Sequence, residues 1–195
     1  TLKEIFEKTL DYVLPPRTNF DIVRKLDETS ILQLPKAEKP EGFDWISPLF
    51  QYKDKRVRAI VWELKYRDVG LPLETIGKLL FDEILAEVSD ILIFDNDAKF
   101  LIIPIPITNE KRRERGYNQS EYIAKAIIQN DLDHILLYAP QWFSKVKDTL
   151  PQSHTKTKEE RLQNLKGAFL ANENVLDKYI ILIDDVVTTG TTLTE

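Results

Sequence analysis

Apolar residues follow two rhythms along this chain. In the first half they recur every three or four positions. Leu2, Ile5, Phe6, Leu10, Val13 and Leu14 mark one face of an amphipathic helix that Pro15-Pro16 stops. Thr18 with Asp21 offers a capping pattern for a second, short helix through Leu26. Pro35 to Gly42, rich in proline and charge, predicts a linker, and WISPLFQY (Trp45 to Tyr52) an edge strand. Val57, Ile60, Val61 and Leu64 stand at i, i+3, i+4 and i+7, which predicts a helix to about Tyr66. Gly70 and Pro72 break it, and another helix is expected from about Leu73 to Val88.

The second half changes rhythm. FLIIPIP (Phe100 to Pro106), HILLY (His134 to Tyr138) and YIILID (Tyr179 to Asp184) are short apolar runs bounded by turn signals, as strands buried on both faces read. Between the first two, Ile123, Ile127 and Ile128 keep helical spacing, with Asn118 or Ser120 as the cap. Strands alternating with helices predict right-handed crossovers and an open, mostly parallel α/β sheet with flanking helices. Residues 1–45 read as a helical N-terminal extension and residues 46–195 as the α/β domain. The long polar stretch from Ser144 to Glu160 is expected to be a functional or disordered loop.

The last apolar run carries the chemistry. In YIILIDDVVTTGTTL, four aliphatic residues lead into Asp184 and Asp185, then Val186, Val187, Thr188, Thr189, Gly190, Thr191 and Thr192. Polar groups at the carboxyl end of a strand stand where open α/β sheets bind ligands. Gly190 permits a tight turn, successive N–H groups can converge on an anion, and four threonine hydroxyls add donors. A helix starting near Thr191 would add its positive end. Carboxylates beside a phosphate would repel it, so Asp184 and Asp185 suit sugar hydroxyls or a water-held magnesium ion. The implied ligand is a phosphorylated pentose. The chain has neither a Gly-x-x-x-x-Gly-Lys-Ser/Thr run nor a Gly-x-Gly-x-x-Gly run, so the ordinary ATP-loop and dinucleotide readings lack support.

Charge sharpens this picture. The net charge of −5 hides five basic against three acidic residues over Asn109–Lys125 and six against three over Ser144–Lys166. Two basic segments on an otherwise acidic chain suggest a local anion site rather than a nucleic-acid coat. Neither segment interleaves aromatics as a single-strand platform would, so direct nucleic-acid binding ranks low. Cysteine is absent, which excludes disulfides and cysteine-ligated zinc and fits a cytoplasmic location. No apolar stretch approaches the ~18 residues of a membrane span, and no secretory signal is visible. The absence of methionine suggests a processed start or a fragment.

These residues resemble known proteins. Asp184 and Asp185 with the loop Val187 to Thr192 are similar to the 5-phosphoribosyl-1-pyrophosphate (PRPP) motif of type I phosphoribosyltransferases. PIPITNEKRRERGYNQSEYIAKAI (Pro104 to Ile127) resembles the Arg-rich, Arg-Gly-Phe-Asn-Gln segment of the ComF family, the competence-associated branch of these enzymes. Gln152, Arg161, Asn164, Gly167, Ala168 and Phe169 match that family's Gln-x-x-Leu to Gly-Ala-Phe segment, and Leu64 to Asp68 its Leu-Lys-Tyr-Arg-Gly. Together these segments cover about Val57 to Glu195.

The chain also departs from the family pattern. LPPRT (Leu14 to Thr18) is similar to the family's Pro-Pro-Arg-Cys with threonine at the first ligand, so the N-terminal zinc site is expected to be lost. Lys111 stands where the family often has arginine, and His154 where it has a small residue. The chain ends at Glu195, where the helix after the phosphate loop should begin, which suggests truncation before a C-terminal helix and strand.

The resemblance implies a PRPP-binding protein that displaces pyrophosphate from ribose C1 with a nitrogen nucleophile. It serves competence or nucleotide salvage in that reading, with Mg2+ bound through PRPP and Asp184/Asp185. Lys111, Arg113 and Arg115 are expected near the pyrophosphate, and Lys156, Lys158 and Arg161 on a closing lid. His134 is expected to top a strand; Tyr117 and Trp142 are expected to pack rather than stack on a base. The alternative is a non-catalytic PRPP- or nucleotide-binding partner of the competence machinery. The nitrogen acceptor stays unidentified, and a homodimer and a competence-protein partner stay open.

Overall fold

A computed structural model describes residues 18–64, 70–147, 166–171 and 177–187. The predicted helix at residues 2–14 lies outside them, as do residues 65–68 of the LKYRD motif. Two short helices come first, α1 (Thr18–Arg24) and α2 (Glu28–Leu32). The apolar pattern gave no sign of α2. It depends on its cap, Asp27, whose side chain accepts from Ser30 N at 2.8 Å. The expected edge strand at residues 45–52 is not formed. A single antiparallel bridge joins Lys36 to Phe50, since Pro48 cannot donate to a ladder and interrupts the run.

Helix α3 (Lys55–Glu63) fits the predicted spacing and buries Val57, Ile60 and Val61. Its cap is Asp54, which accepts from Arg56 N at 2.7 Å and pairs with the Arg56 guanidinium at 2.8 Å. That pairing lowers the Asp54 pKa to about 2. Helix α4 (Leu71–Phe94) is longer than expected, because nothing between Ser89 and Phe94 breaks it. Gly70 at φ +59° and Pro72 set its start. In its second turn, Gly77 meets a neighbouring helix so closely that a Cβ there would lie 2.6 Å from the Ala126 carbonyl oxygen. Among the described residues, no helix is long and apolar enough to cross a membrane.

Strand β1 (Phe100–Pro104) is fully buried. It leads into α5 (Asn109–Arg115) and α6 (Gln119–Ile128), then β2 (Leu136–Tyr138). A 3₁₀ turn at Pro140–Trp142 precedes β3 (Phe143–Lys145), and β4 (Phe169–Ala171) and β5 (Tyr179–Ile183) follow. The main sheet has the order β2-β1-β5 and is parallel throughout, as strand–helix alternation predicts. β3 and β4 form a separate antiparallel pair, so the polar stretch expected as loop from Ser144 opens with a strand. Its continuation over 148–165 lies outside the described residues.

Alternation along β1 divides the core between two faces. Phe100 and Ile102 pack with Ile123, Ala124 and Ile127 of α6 and with Val23, Ile31, Val57 and Ile60. The residues read as an N-terminal extension thus contribute Val23 and Ile31 to the same apolar cluster as the sheet. Leu101 and Ile103 face Ala139, Trp142, Phe143, Ile180 and Leu182. Each such aliphatic burial contributes about 1.5–3 kcal/mol.

β5 corrects one expectation. Its aliphatic run predicts burial on both faces, yet only Ile183 is fully buried. Among the described residues it is one of the sheet's two edge strands, and a cavity of about 870 Å³ runs along it, lined in part by Phe50, Ile60, Leu80 and Ile84.

Candidate functional site at the carboxyl edge of the sheet

The register of β1 against β5 builds the site. Pro104 stands opposite Ile183, so the residues that follow each strand emerge together at one edge. Ile105 N donates to Ile183 O at 2.8 Å, and the next residue on that side is Asp184. The chain beyond β1 reaches Thr108, whose hydroxyl oxygen accepts from Lys111 N and caps α5. Gly116 at φ +84° ends that helix. The basic cluster, expected in a strand-to-helix loop, therefore rides on a short helix of its own.

The basic side chains are not equivalent. Arg112 is held by Glu121 through two hydrogen bonds, Arg112 NH2 to Oε2 at 3.0 Å being the second. Lys111 is half-buried and Arg113 exposed at the same end of the sheet. Arg115 closes the helix; its side chain lies outside the described residues, as do Thr188 to Thr192, the expected lid Lys156, Lys158 and Arg161, and His154. Val187 is half-buried just beyond the acid pair.

Helix α6 begins at the acids. Asn118 is its cap, accepting from Ser120 N at 3.2 Å, while its amide nitrogen donates to Ile105 O at 2.8 Å. The Ser120 hydroxyl donates to Asp184 Oδ1 at 3.4 Å, and Asp185 N donates to the same oxygen at 2.9 Å. Burial, and next the adjacent Asp185 charge, push the Asp184 pKa up to about 7, against the pull of these donors. Asp184 is thus only about half ionised near neutrality unless a hydrogen-bonding or cationic ligand stabilises its charge.

Three other residues find ordinary places. Tyr117 meets Tyr122 edge-on with ring centroids 4.9 Å apart. Trp142 packs against Leu101, Ile103 and Ala139. His134 precedes β2 with φ +53°, at the end of the parallel sheet opposite the acids. The residue missed from sequence is Ser120, read only as a cap. Its signal was phase: Ser120, Ile123 and Ile127 fall at i, i+3 and i+7, so this serine occupies a core position of α6.

Known proteins share about half of this chain. It is 33% identical over 101 residues to Competence protein F of Haemophilus influenzae, a match covering 48% of this chain and 41% of that protein. Competence protein ComFC of Bacillus subtilis is 31% identical over 97 residues, covering 50% and 36%. DNA utilization protein YhgH of Escherichia coli K12 is 31% identical over 98 residues, covering 48% and 40%. The chain therefore spans less than half the length of these curated relatives. No family model matches it. Over this shared half, the chain is similar to the competence and DNA-utilization proteins of these three bacteria.

Proposed function

We propose that the chain is a PRPP-binding protein of the type I phosphoribosyltransferase kind, acting in DNA uptake or nucleotide salvage. One observation carries the reading. Two adjacent acids end an aliphatic strand of a parallel sheet, and one of them is pinned by the first turn of the neighbouring helix. Half-buried acids there call for hydroxyl donors or a cation, and a ribose with bound magnesium supplies both. Hard carboxylate oxygens suit magnesium, and among the described residues no group of three or more acids or histidines would hold it alone. A magnesium shared with the ligand's own phosphate oxygens fits that donor set.

The chemistry follows from charge. As the acceptor nitrogen bonds to ribose C1, the C1–oxygen bond breaks and its electron pair leaves on pyrophosphate, which can also take up the proton that the nitrogen loses. Asp184 and Asp185 orient the ribose through its hydroxyls and hold C1 in line between nucleophile and leaving group. Lys111 and Arg113 lend positive charge where the leaving group gathers negative charge. Val187 leads into the threonine-rich loop, whose N–H and hydroxyl donors suit the 5′-phosphate. Magnesium, when bound, neutralises charge on the departing pyrophosphate.

The names of the relatives favour a second reading, a PRPP- or nucleotide-binding partner of the competence machinery without transfer activity. Pyrophosphate release from PRPP, measured with magnesium across a panel of nucleobases and amines, separates the two. Release with any acceptor supports the transferase. PRPP binding without release supports the partner role, and a low-salt DNA mobility shift would reopen direct nucleic-acid binding.

A further inference from the structure

The run Asn118-Gln119-Ser120 opens α6, yet its residues are only 2%, 4% and 4% exposed. Buried polar groups must end on partners. Asn118 satisfies both ends of its amide on backbone, donating to Ile105 O and accepting from Ser120 N. Ser120 differs, because its hydroxyl ends on a functional group, Asp184 Oδ1. A path of hydrogen bonds thus runs from Ile105 through Asn118 and Ser120 to Asp184, and Ile105 N closes it on Ile183 O, one residue before that acid.

We infer that Ser120 is a positioning residue for the acid pair, its hydroxyl fixing one oxygen of Asp184 and with it the plane of the carboxylate presented to the ribose. This rests on reading Asp184 as a group that contacts the sugar. Asn118 carries the structural half of the path, since it joins the ends of β1 and α6. Ser120 carries the functional half.

Calorimetric titration of PRPP with magnesium into the full chain tests this, with urea unfolding of each variant alongside. Ser120→Ala is expected to bind about tenfold more weakly while unfolding near the wild-type midpoint, since one hydrogen bond to a charged group is lost. Ser120→Thr, which keeps the hydroxyl, is expected to restore most of that affinity. Asn118→Ala is expected to lower the unfolding midpoint instead. Should Ser120→Ala fail to fold, Ser120→Thr is compared with Ser120→Cys, whose thiol is a poor donor and is expected to bind more weakly.

Wild-type affinity in Ser120→Ala, or equal weakness in the alanine and threonine variants, overturns the inference and leaves the PRPP reading standing. A wild type that binds no PRPP overturns both.

Discussion

Replacing Asp184 with asparagine should make the ligand-free protein more stable and the site worse. Burial and the Asp185 charge raise the Asp184 pKa from the ordinary 3.8 to about 7. The folded state therefore binds this proton more tightly than the unfolded chain does. Between about pH 4 and 7 the unfolded chain has lost the proton while the folded one keeps it, so the group's contribution to stability falls as pH rises. At about 1.4 kcal/mol per pH unit, the full penalty above pH 7 has a ceiling of about 4 kcal/mol. Asparagine 's oxygen can still accept from Ser120 Oγ and Asp185 N, the bonds Asp184 makes at 3.4 and 2.9 Å. Those bonds weaken by about 1 kcal/mol without the charge. Asp184→Asn should thus gain a net ~1–3 kcal/mol at pH 8 and almost nothing at pH 4.5. Urea unfolding of both proteins at half-unit steps between these limits reads the difference directly. A gap that stays constant with pH, or a variant less stable than wild type at pH 8, would refute the reasoning.

Other consequences follow from the same geometry. Magnesium-dependent PRPP affinity should rise between pH 6 and 8 as Asp184 loses its proton, and Asp184→Asn should flatten that part of the profile. Gly77→Ala should destabilise by about 1–3 kcal/mol despite its better helix propensity, because the new methyl group meets the Ala126 carbonyl; thermal unfolding checks it. Asp131→Ala should cost roughly 2–4 kcal/mol in urea unfolding, since Asp131 accepts from the buried N–H groups of Ile135 and Leu136 at 3.1 and 2.8 Å. Arg112→Ala should change stability by less than about 1 kcal/mol, its guanidinium being half exposed, and leave PRPP affinity unchanged in calorimetry. Lys111→Ala should weaken that affinity.

Much of the sheet was legible because its strands are written as unbroken aliphatic runs. FLIIP and YIILI each coincide with a strand of the parallel sheet, and HILLY contains one in its last three residues. Less legible were elements set by single side chains or by distant contacts. Helix α2 depends on the Asp27 cap, and the β3–β4 pair joins residues more than twenty positions apart. WISPLFQY shows the converse, an apolar stretch containing a proline that pairs through a single bridge instead of a strand. At the candidate site, the acids announced themselves by ending a strand. Ser120 did not, since a serine beside a helix start reads as a cap until the helix phase shows that it points inward. Arg112 likewise looked like its basic neighbours until Glu121, nine residues on, proved to be its partner.

The acid pair at the end of β5 as the seat of a phosphorylated pentose is tested most directly by calorimetric titration of PRPP and magnesium into the wild type and into the Asp184→Asn, Asp185→Asn chain. Saturable, magnesium-dependent binding to the wild type, weakened at least about tenfold in the double variant, is the expected result. No binding to the wild type, or equal binding to both, would contradict it.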